Sequence, residues 1–316
     1  MRVVKASPGL DPDNVLAGKL GPGFTVAEFD EARPLRDQVA GADVLLLRDV
    51  PVPADVIDAA PALKLLQRYG QHLVGVDVAH ARRKGVWVAR APVVLTEADH
   101  VVAEHAIFLM LALVKRYREG LVSIERGLLG RPVTRSLLGK TLGLVGVGKT
   151  GTELTRLARG FGMRVIAVKR TADPHLAQQL GLDFLGTMDR LDALLGQADF
   201  VSIHLPLEAE TVGFIGRREL AVMRPGGYVV NIARGPIIDQ HALLAALRSG
   251  HLAGAGLDVF AREPIDPGDP LLKLLTVVAT PHIAGATEEM QARLAEIVAE
   301  NIRLVSAGQA PHHQVT

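Results

Sequence analysis

From about residue 140 onward, apolar and polar positions alternate in blocks. Short, near-continuous apolar runs read "TLGLVG", "RVIAV", "FVSIHL", "YVVNIA", "GAGLDVF" and "TVVAT". Between them lie stretches with helical spacing, among them Thr152–Phe161, Leu191–Leu195 and His241–Ser249. A strand that is apolar on both sides needs cover on both faces, so the pattern predicts a parallel sheet with helices above and below it. The six runs predict six parallel strands, doubly wound. The first hundred residues carry "VLLLR", "LKLLQRYG" and "VWVARAP", which predict a smaller α/β unit. A helix over Val101–Arg116 would join the two parts, and "TEEMQARLAEIVAENIRLVSAG" predicts a final helix. The expected division is therefore residues 1–98 with 285–316, against 99–284. No fixed-period repeat or low-complexity segment interrupts it.

Composition narrows the function classes. With 316 residues, 48% hydrophobic and 22% charged, the chain can bury a large core. A formal charge of +1 supplies no global field for nucleic acid or an anionic membrane. No cysteine is present, so disulfides, thiolate nucleophiles and cysteine metal sites are excluded, and a reducing compartment fits. No metal is implied. The opening "MRVVKASPGLDPDN" does not read as a signal peptide, and "VVAEHAIFLMLALV" is broken by Glu104 and His105 and too short to span a bilayer. The expected location is the cytoplasm.

The segment "GLVGVGKTG", residues 143–151, fits two phosphate-loop patterns. From Gly143 it reads G-x-x-x-x-G-K-T, the loop of ATP- and GTP-binding proteins; from Gly146 it reads G-x-G-x-x-G, the turn that seats a dinucleotide pyrophosphate. The first needs a buried strand ending before Gly143, where "GRPVTRSLLGKT" is polar and broken by Gly130 and Pro132. The second uses "KTLGLV" as the strand and turns at Gly146; Gly148 then admits pyrophosphate and Gly151 lets the next helix pack closely. Strand, turn and helix in that order favour the dinucleotide. About twenty residues on, where an acid would bind the ribose hydroxyls, "RVIAVKRT" places Lys169, Arg170 and Thr171. Cations there attract a 2′-phosphate and lean the reading to NADP over NAD, unless both side chains are merely solvated at a strand end.

Further polar residues fall repeatedly at strand ends: His204 and Pro206, Arg234, Asp258 and His282. With the stretches "GLVGVGKTG", "HLPLEAETVGFIG", "MRPGGYVVNIARGPIID", "LAGAGLDVFAREP" and "TPHIAGAT", the chain resembles the D-isomer-specific 2-hydroxyacid dehydrogenase family. That resemblance implies a Rossmann nucleotide domain with a smaller, flavodoxin-like substrate-binding domain, an NAD or NADP cofactor, a small 2-keto or 2-hydroxy acid as substrate, and a homodimer. It assigns Arg234 to the substrate carboxylate, His282 to proton transfer at the substrate oxygen, and Glu263 to pairing with His282. Lys149 and Thr150 would lie with Gly146, Gly148 and Gly151 at the pyrophosphate, Pro206 and Thr211 along the cofactor cleft, and Asp258 beside the nicotinamide, with Ala233 and Gly285 completing the cofactor site. Gly70 and Gln71 would meet the substrate from the smaller domain. Two departures stand out. In "RYGQHLVGVDV", His72 takes a glycine position and Val74 an aspartate position, and Lys169 replaces the acid that favours NAD. Arg68 and Arg90 leave a phosphorylated substrate open. A dinucleotide-sensing, corepressor-like binding protein of the same fold is the alternative from another class.

Overall fold

The structure, a computed structural model, describes residues 1–316 apart from 8, 9, 12, 13, 31, 49, 71, 72, 74, 93–97, 172 and 316. It divides into two compact units, Met1–Ala98 with Ala286–Thr316, and Asp99–Gly285.

In the first unit, β1 (Arg2–Lys5), β2 (Thr25–Ala27), β3 (Val44–Leu47), β4 (Leu65–Arg68) and β5 (Trp87–Arg90) form a parallel sheet in the order β2-β1-β3-β4-β5. That is the flavodoxin-like order. Successive strand residues face opposite sides. Val44 and Leu46 therefore pack with the helices Val15–Leu20 and Glu288–Ser306, and Leu45 and Leu47 with the helix Ala54–Asp58. The last long helix starts where Thr287 accepts a hydrogen bond from the Met290 amide. Buried Asn301 ties it to the sheet, donating to Gln67 Oε1 at 2.8 Å and accepting from the His312 amide at 2.8 Å.

In the second unit, β6 (Thr141–Val145), β7 (Arg164–Val168), β8 (Phe184–Gly186), β9 (Phe200–Ile203), β10 (Gly227–Asn231), β11 (Leu252–Leu257) and β12 (Val277–Ala279) form a parallel sheet. The order β12-β11-β10-β9-β6-β7-β8 is the doubly wound dinucleotide-binding arrangement, with β12 added beyond its six strands. The sequence pattern predicts six strands and the sheet has seven; β8 is the one missed. It is a three-residue edge strand in which only Gly186 is buried, so it leaves no apolar run to read. Along β7, Val165 and Ala167 join one core and Ile166 and Val168 the other. The helices Ala98–Val114 and Lys149–Gly160 cover the first face; Leu191–Gln197, Arg217–Val222 and Gln240–Arg248 cover the second. Both faces are therefore dry, which is why the strands read as unbroken Val/Ile/Leu runs.

Gly143 decides between the two phosphate-loop readings. It sits in the middle of β6, not in a turn after it, and a β-carbon there would lie 2.7 Å from Leu194 Cδ2 and 2.8 Å from Ala198 Cβ. Its glycine serves strand–helix packing. Gly143→Ala is therefore expected to destabilise the second unit by about 1–3 kcal/mol through overpacking. Denaturant unfolding measures this, and a variant of parental stability would contradict the packing role.

Candidate active site

The turn after β6 has the shape a dinucleotide needs. Gly146 has φ 91°, a left-handed value, and a β-carbon there would lie 2.8 Å from the His204 carbonyl oxygen, so glycine is required. Gly148 faces open space, and it caps the helix Lys149–Gly160 without a side-chain hydrogen bond. The first amides of that twelve-residue helix are thus left for an outside acceptor, and the helix dipole favours an anion there. Gly151 is less constrained than the sequence implies. A β-carbon there would stand 3.4 Å from the Gly146 carbonyl oxygen, an ordinary contact. Lys149 is exposed at the helix start, whereas the Thr150 hydroxyl donates to Asp99 Oδ1 at 2.8 Å. His204 lies beneath the turn, its ring 2.9 Å from the Ser202 hydroxyl, and desolvation of this half-buried ring pushes its pKa down to about 4.

Lys169 follows β7, with its amide bonded to the Gly186 carbonyl. Arg170 forms an ion pair with Glu208 at 3.0 Å, and Thr171 is exposed. The Thr211 hydroxyl donates to the Pro206 carbonyl at 2.7 Å and accepts from the Glu208 amide at 2.8 Å, bracing the loop after β9.

Three more strand-end loops converge on His282. After β10, the Asn231 amide donates to the Arg234 carbonyl at 3.0 Å and its oxygen accepts from the Ala233 amide at 3.0 Å, fixing the loop that presents Arg234. The Arg234 side chain is exposed, bonded to the Ala233 carbonyl at 2.6 Å. Gly235 touches the next loop so closely that a β-carbon would fall 1.9 Å from the Phe260 carbonyl carbon. The Phe260 amide in turn donates to Glu263 Oε1 at 2.9 Å, and Glu263 Oε2 accepts from His282 Nδ1 at 2.6 Å.

Asp258, directly after β11, is fully buried. Its Oδ1 accepts from the Thr280 hydroxyl at 2.6 Å and the Ile283 amide at 2.9 Å, and its Oδ2 from the Ala284 amide at 2.9 Å. Its backbone carbonyl accepts from the His282 amide at 2.8 Å. These bonds hold His282 at φ 57°, a left-handed conformation that a non-glycine residue adopts only where its surroundings impose it. Ala284 is gripped in this way, and Gly285 follows it. Asp258 is thus a brace for the His282 loop, with its carboxylate turned inward and not toward solvent.

His105, on the helix Ala98–Val114, completes the brace. Its Nε2 lies 2.9 Å from the Thr280 hydroxyl, which itself donates to Asp258, so Nε2 carries the proton. Burial lowers the His105 pKa, with the Asp258 charge opposing it. The motifs in the sequence assign no role to His105, Thr280, Asn231 or Gly235. A visible signal for His105 is its place, with Glu104, inside an otherwise apolar run.

The electrostatics of the cluster are directional. The hydrogen bond that His282 donates to Glu263 raises the His282 pKa above its ordinary value, while partial burial and the Arg234 charge oppose this. Burial pushes the Glu263 carboxyl up, but bonds from His282 and the Phe260 amide, with the Arg234 charge, outweigh it and hold the pKa below the usual range. Glu263 thus keeps its charge and the imidazolium is favoured. Arg234, Glu263 and His282 therefore act on one another across one cluster. Gly70, with φ 132°, lies after β4 in the other unit, and Gln71, His72 and Val74 lie outside the described residues. Glu263→Gln removes the negative charge but keeps the hydrogen-bond length, so the His282 pKa is expected to fall. NMR titration of the His282 ring checks this, and an unchanged titration would remove Glu263 from this role.

Comparison with known proteins identifies the family. Residues 107–284 match the family model described as D-isomer specific 2-hydroxyacid dehydrogenase, NAD binding domain. A glyoxylate reductase of Korarchaeum cryptofilum is 39% identical over 302 residues, covering 90% of this chain and 87% of that one. A D-3-phosphoglycerate dehydrogenase of Mycobacterium bovis is 40% identical over 311 residues, covering 94% of this chain but only 57% of the longer relative. The TT0316 protein of Thermus thermophilus superposes with a TM-score of 0.82 at 37% identity, each chain fully covered. The chain therefore belongs to the D-isomer specific 2-hydroxyacid dehydrogenase family of NAD(P)-dependent oxidoreductases.

Proposed function

We propose that the chain works chiefly as a reductase of small 2-keto acids, and the observation that carries this reading is the convergence of Arg234, Glu263 and His282. The relatives named glyoxylate reductase and D-3-phosphoglycerate dehydrogenase support the substrate class. Arg234 presents a planar guanidinium whose two parallel N–H groups match a carboxylate, which would fix the keto acid with its carbonyl near His282. Nδ1 of His282 is committed to Glu263, so Nε2 is the nitrogen that hands a proton to the carbonyl oxygen. A bound reduced nicotinamide supplies the hydride. Negative charge then grows on the substrate oxygen, and a positioned acid there is worth about 10²–10⁴-fold in rate. Glu263 retains its charge throughout and stabilises the imidazolium that precedes transfer. In the reverse direction the same Nε2 accepts the hydroxyl proton.

The chain's residues fit the cofactor. Gly146 admits the tight turn, Gly148 leaves open space, and the uncapped helix N-terminus at Lys149 suits a pyrophosphate. We assign Ala233, Pro206, Thr211 and Gly285 to the walls of that site and Gly70 and Gln71 to the substrate side. Lys169 and Arg170 favour NADP over NAD. A cytoplasmic location belongs to this reading, since a chain without cysteine suits a reducing compartment. No helix among the described residues is long and apolar enough to cross a membrane.

A homodimer is also part of the proposal. The helix Tyr117–Glu125 and the segment after it expose Tyr117, Leu121, Ile124, Leu128, Leu129 and Leu138, with Leu129 at 98% and Ile124 at 75% exposure. Several large apolar side chains exposed along one helix and the segment after it suit an interaction surface, and a second copy of the chain is the partner that fits the family. Sedimentation is expected to give a dimer, and Ile124→Glu with Leu129→Glu to give a folded monomer. A parental chain that sediments as a monomer would refute this.

The decisive assay runs glyoxylate, hydroxypyruvate, pyruvate and phosphonooxypyruvate, each with NADPH and with NADH. At least one acid is expected to turn over. Binding of dinucleotide without turnover of any acid would favour a sensing protein. Arg234→Lys is expected to raise the KM for the accepted acid about tenfold or more, because charge-assisted hydrogen bonds contribute about 1.5–3 kcal/mol. Unchanged KM and kcat would exclude Arg234 from the substrate site.

A further inference from the structure

The order of the second sheet places β6 between β7 and β9. All three strands are parallel, so the loops after β7 and β9 leave the same edge and flank the turn at Gly146–Gly148. Neighbouring strands lie about 4.8 Å apart, so those loops begin about 10 Å apart. Arg170, two residues beyond β7, and Glu208, five beyond β9, close that gap with an ion pair of 3.0 Å. Glu208 is held in place, because its amide donates to Thr211 Oγ1 and Thr211 donates back to Pro206. Arg170 is 82% exposed and Glu208 45%. An exposed pair of this kind contributes little, so an incoming dianion can displace the carboxylate.

We infer that Glu208 determines cofactor specificity: its carboxylate occupies the Arg170 guanidinium in a strap between the two loops that flank the nucleotide turn, and a ribose 2′-phosphate must compete with it. This rests on the reading of Lys169 and Arg170 as phosphate ligands. When a 2′-phosphate takes the guanidinium, Glu208 loses its partner and faces a like charge. A cofactor without that phosphate leaves the pair intact. Glu208 thus counteracts the preference that Lys169 and Arg170 create, and the chain accepts both cofactors more evenly than its two cations alone would allow.

The test compares adenosine 2′,5′-bisphosphate with adenosine 5′-monophosphate, which differ only in the 2′-phosphate, by calorimetric titration of the full chain at low salt. Glu208→Gln is expected to tighten the bisphosphate by about 1.5- to fivefold, the range an exposed pair supports, and to leave the monophosphate unchanged. In an Arg170→Gln background the same substitution is expected to have no effect, since the pair is already gone. Equal tightening in both backgrounds would replace the strap by a simple charge field and overturn it. A parental chain that prefers the bisphosphate while Glu208→Gln changes nothing would overturn the role of Glu208 alone. A parental chain indifferent to the 2′-phosphate, with Lys169→Gln and Arg170→Gln equally without effect, would overturn the phosphate reading and the strap with it.

Discussion

A carboxylate taken wholly out of water must find donors for its oxygens, and Asp258 finds three: the Thr280 hydroxyl and the amides of Ile283 and Ala284. Each such acceptor left without a donor would cost about 1–3 kcal/mol, so the loop 280–284 has little freedom to rearrange. His282 sits in the middle of that loop, in a backbone conformation it would not choose for itself. The left-handed turn is sustained because the buried acid grips the chain on both sides of it. His105 extends the brace to the helix Ala98–Val114.

The same economy of contacts links the neighbouring loops. Asn231 uses both ends of its amide to shape the loop that carries Arg234, and the Asp258 amide bonds back to the Asn231 carbonyl. Gly235 permits an approach to Phe260 that any side chain would forbid, and the Phe260 amide orients Glu263 toward His282. Arg234, Glu263 and His282 thus come from three different strand ends yet share one frame. Parallel strands with both faces buried make that frame stiff, and geometry held on rigid elements suits the proton transfer proposed for it.

Much of this was legible in the residues. The apolar runs mark β6, β7, β9, β10, β11 and β12, because a strand covered on both faces favours apolar side chains on both. The short strands escaped. β8 is an edge strand with one buried residue, β2 has none, and neither leaves a pattern that differs from a loop. Gly143 shows how a motif can mislead: it completes a nucleotide-loop pattern in the text, but its missing side chain answers a packing demand from Leu194 and Ala198.

The chain's own text determined the kind of fold and the glycine turn at Gly146, since these follow from local periodicity and a short motif, while Arg234, Glu263 and His282 were singled out by the motifs that carry the family resemblance. Only the tertiary structure decided which groups support them. His105 meets Thr280 across 175 residues, Arg170 meets Glu208 across 38, and Asp258 turns out to be a buried brace. No local preference encodes such pairs. They exist because sheet order brings distant strand ends to one edge, and burial then obliges whichever polar groups meet there to satisfy one another.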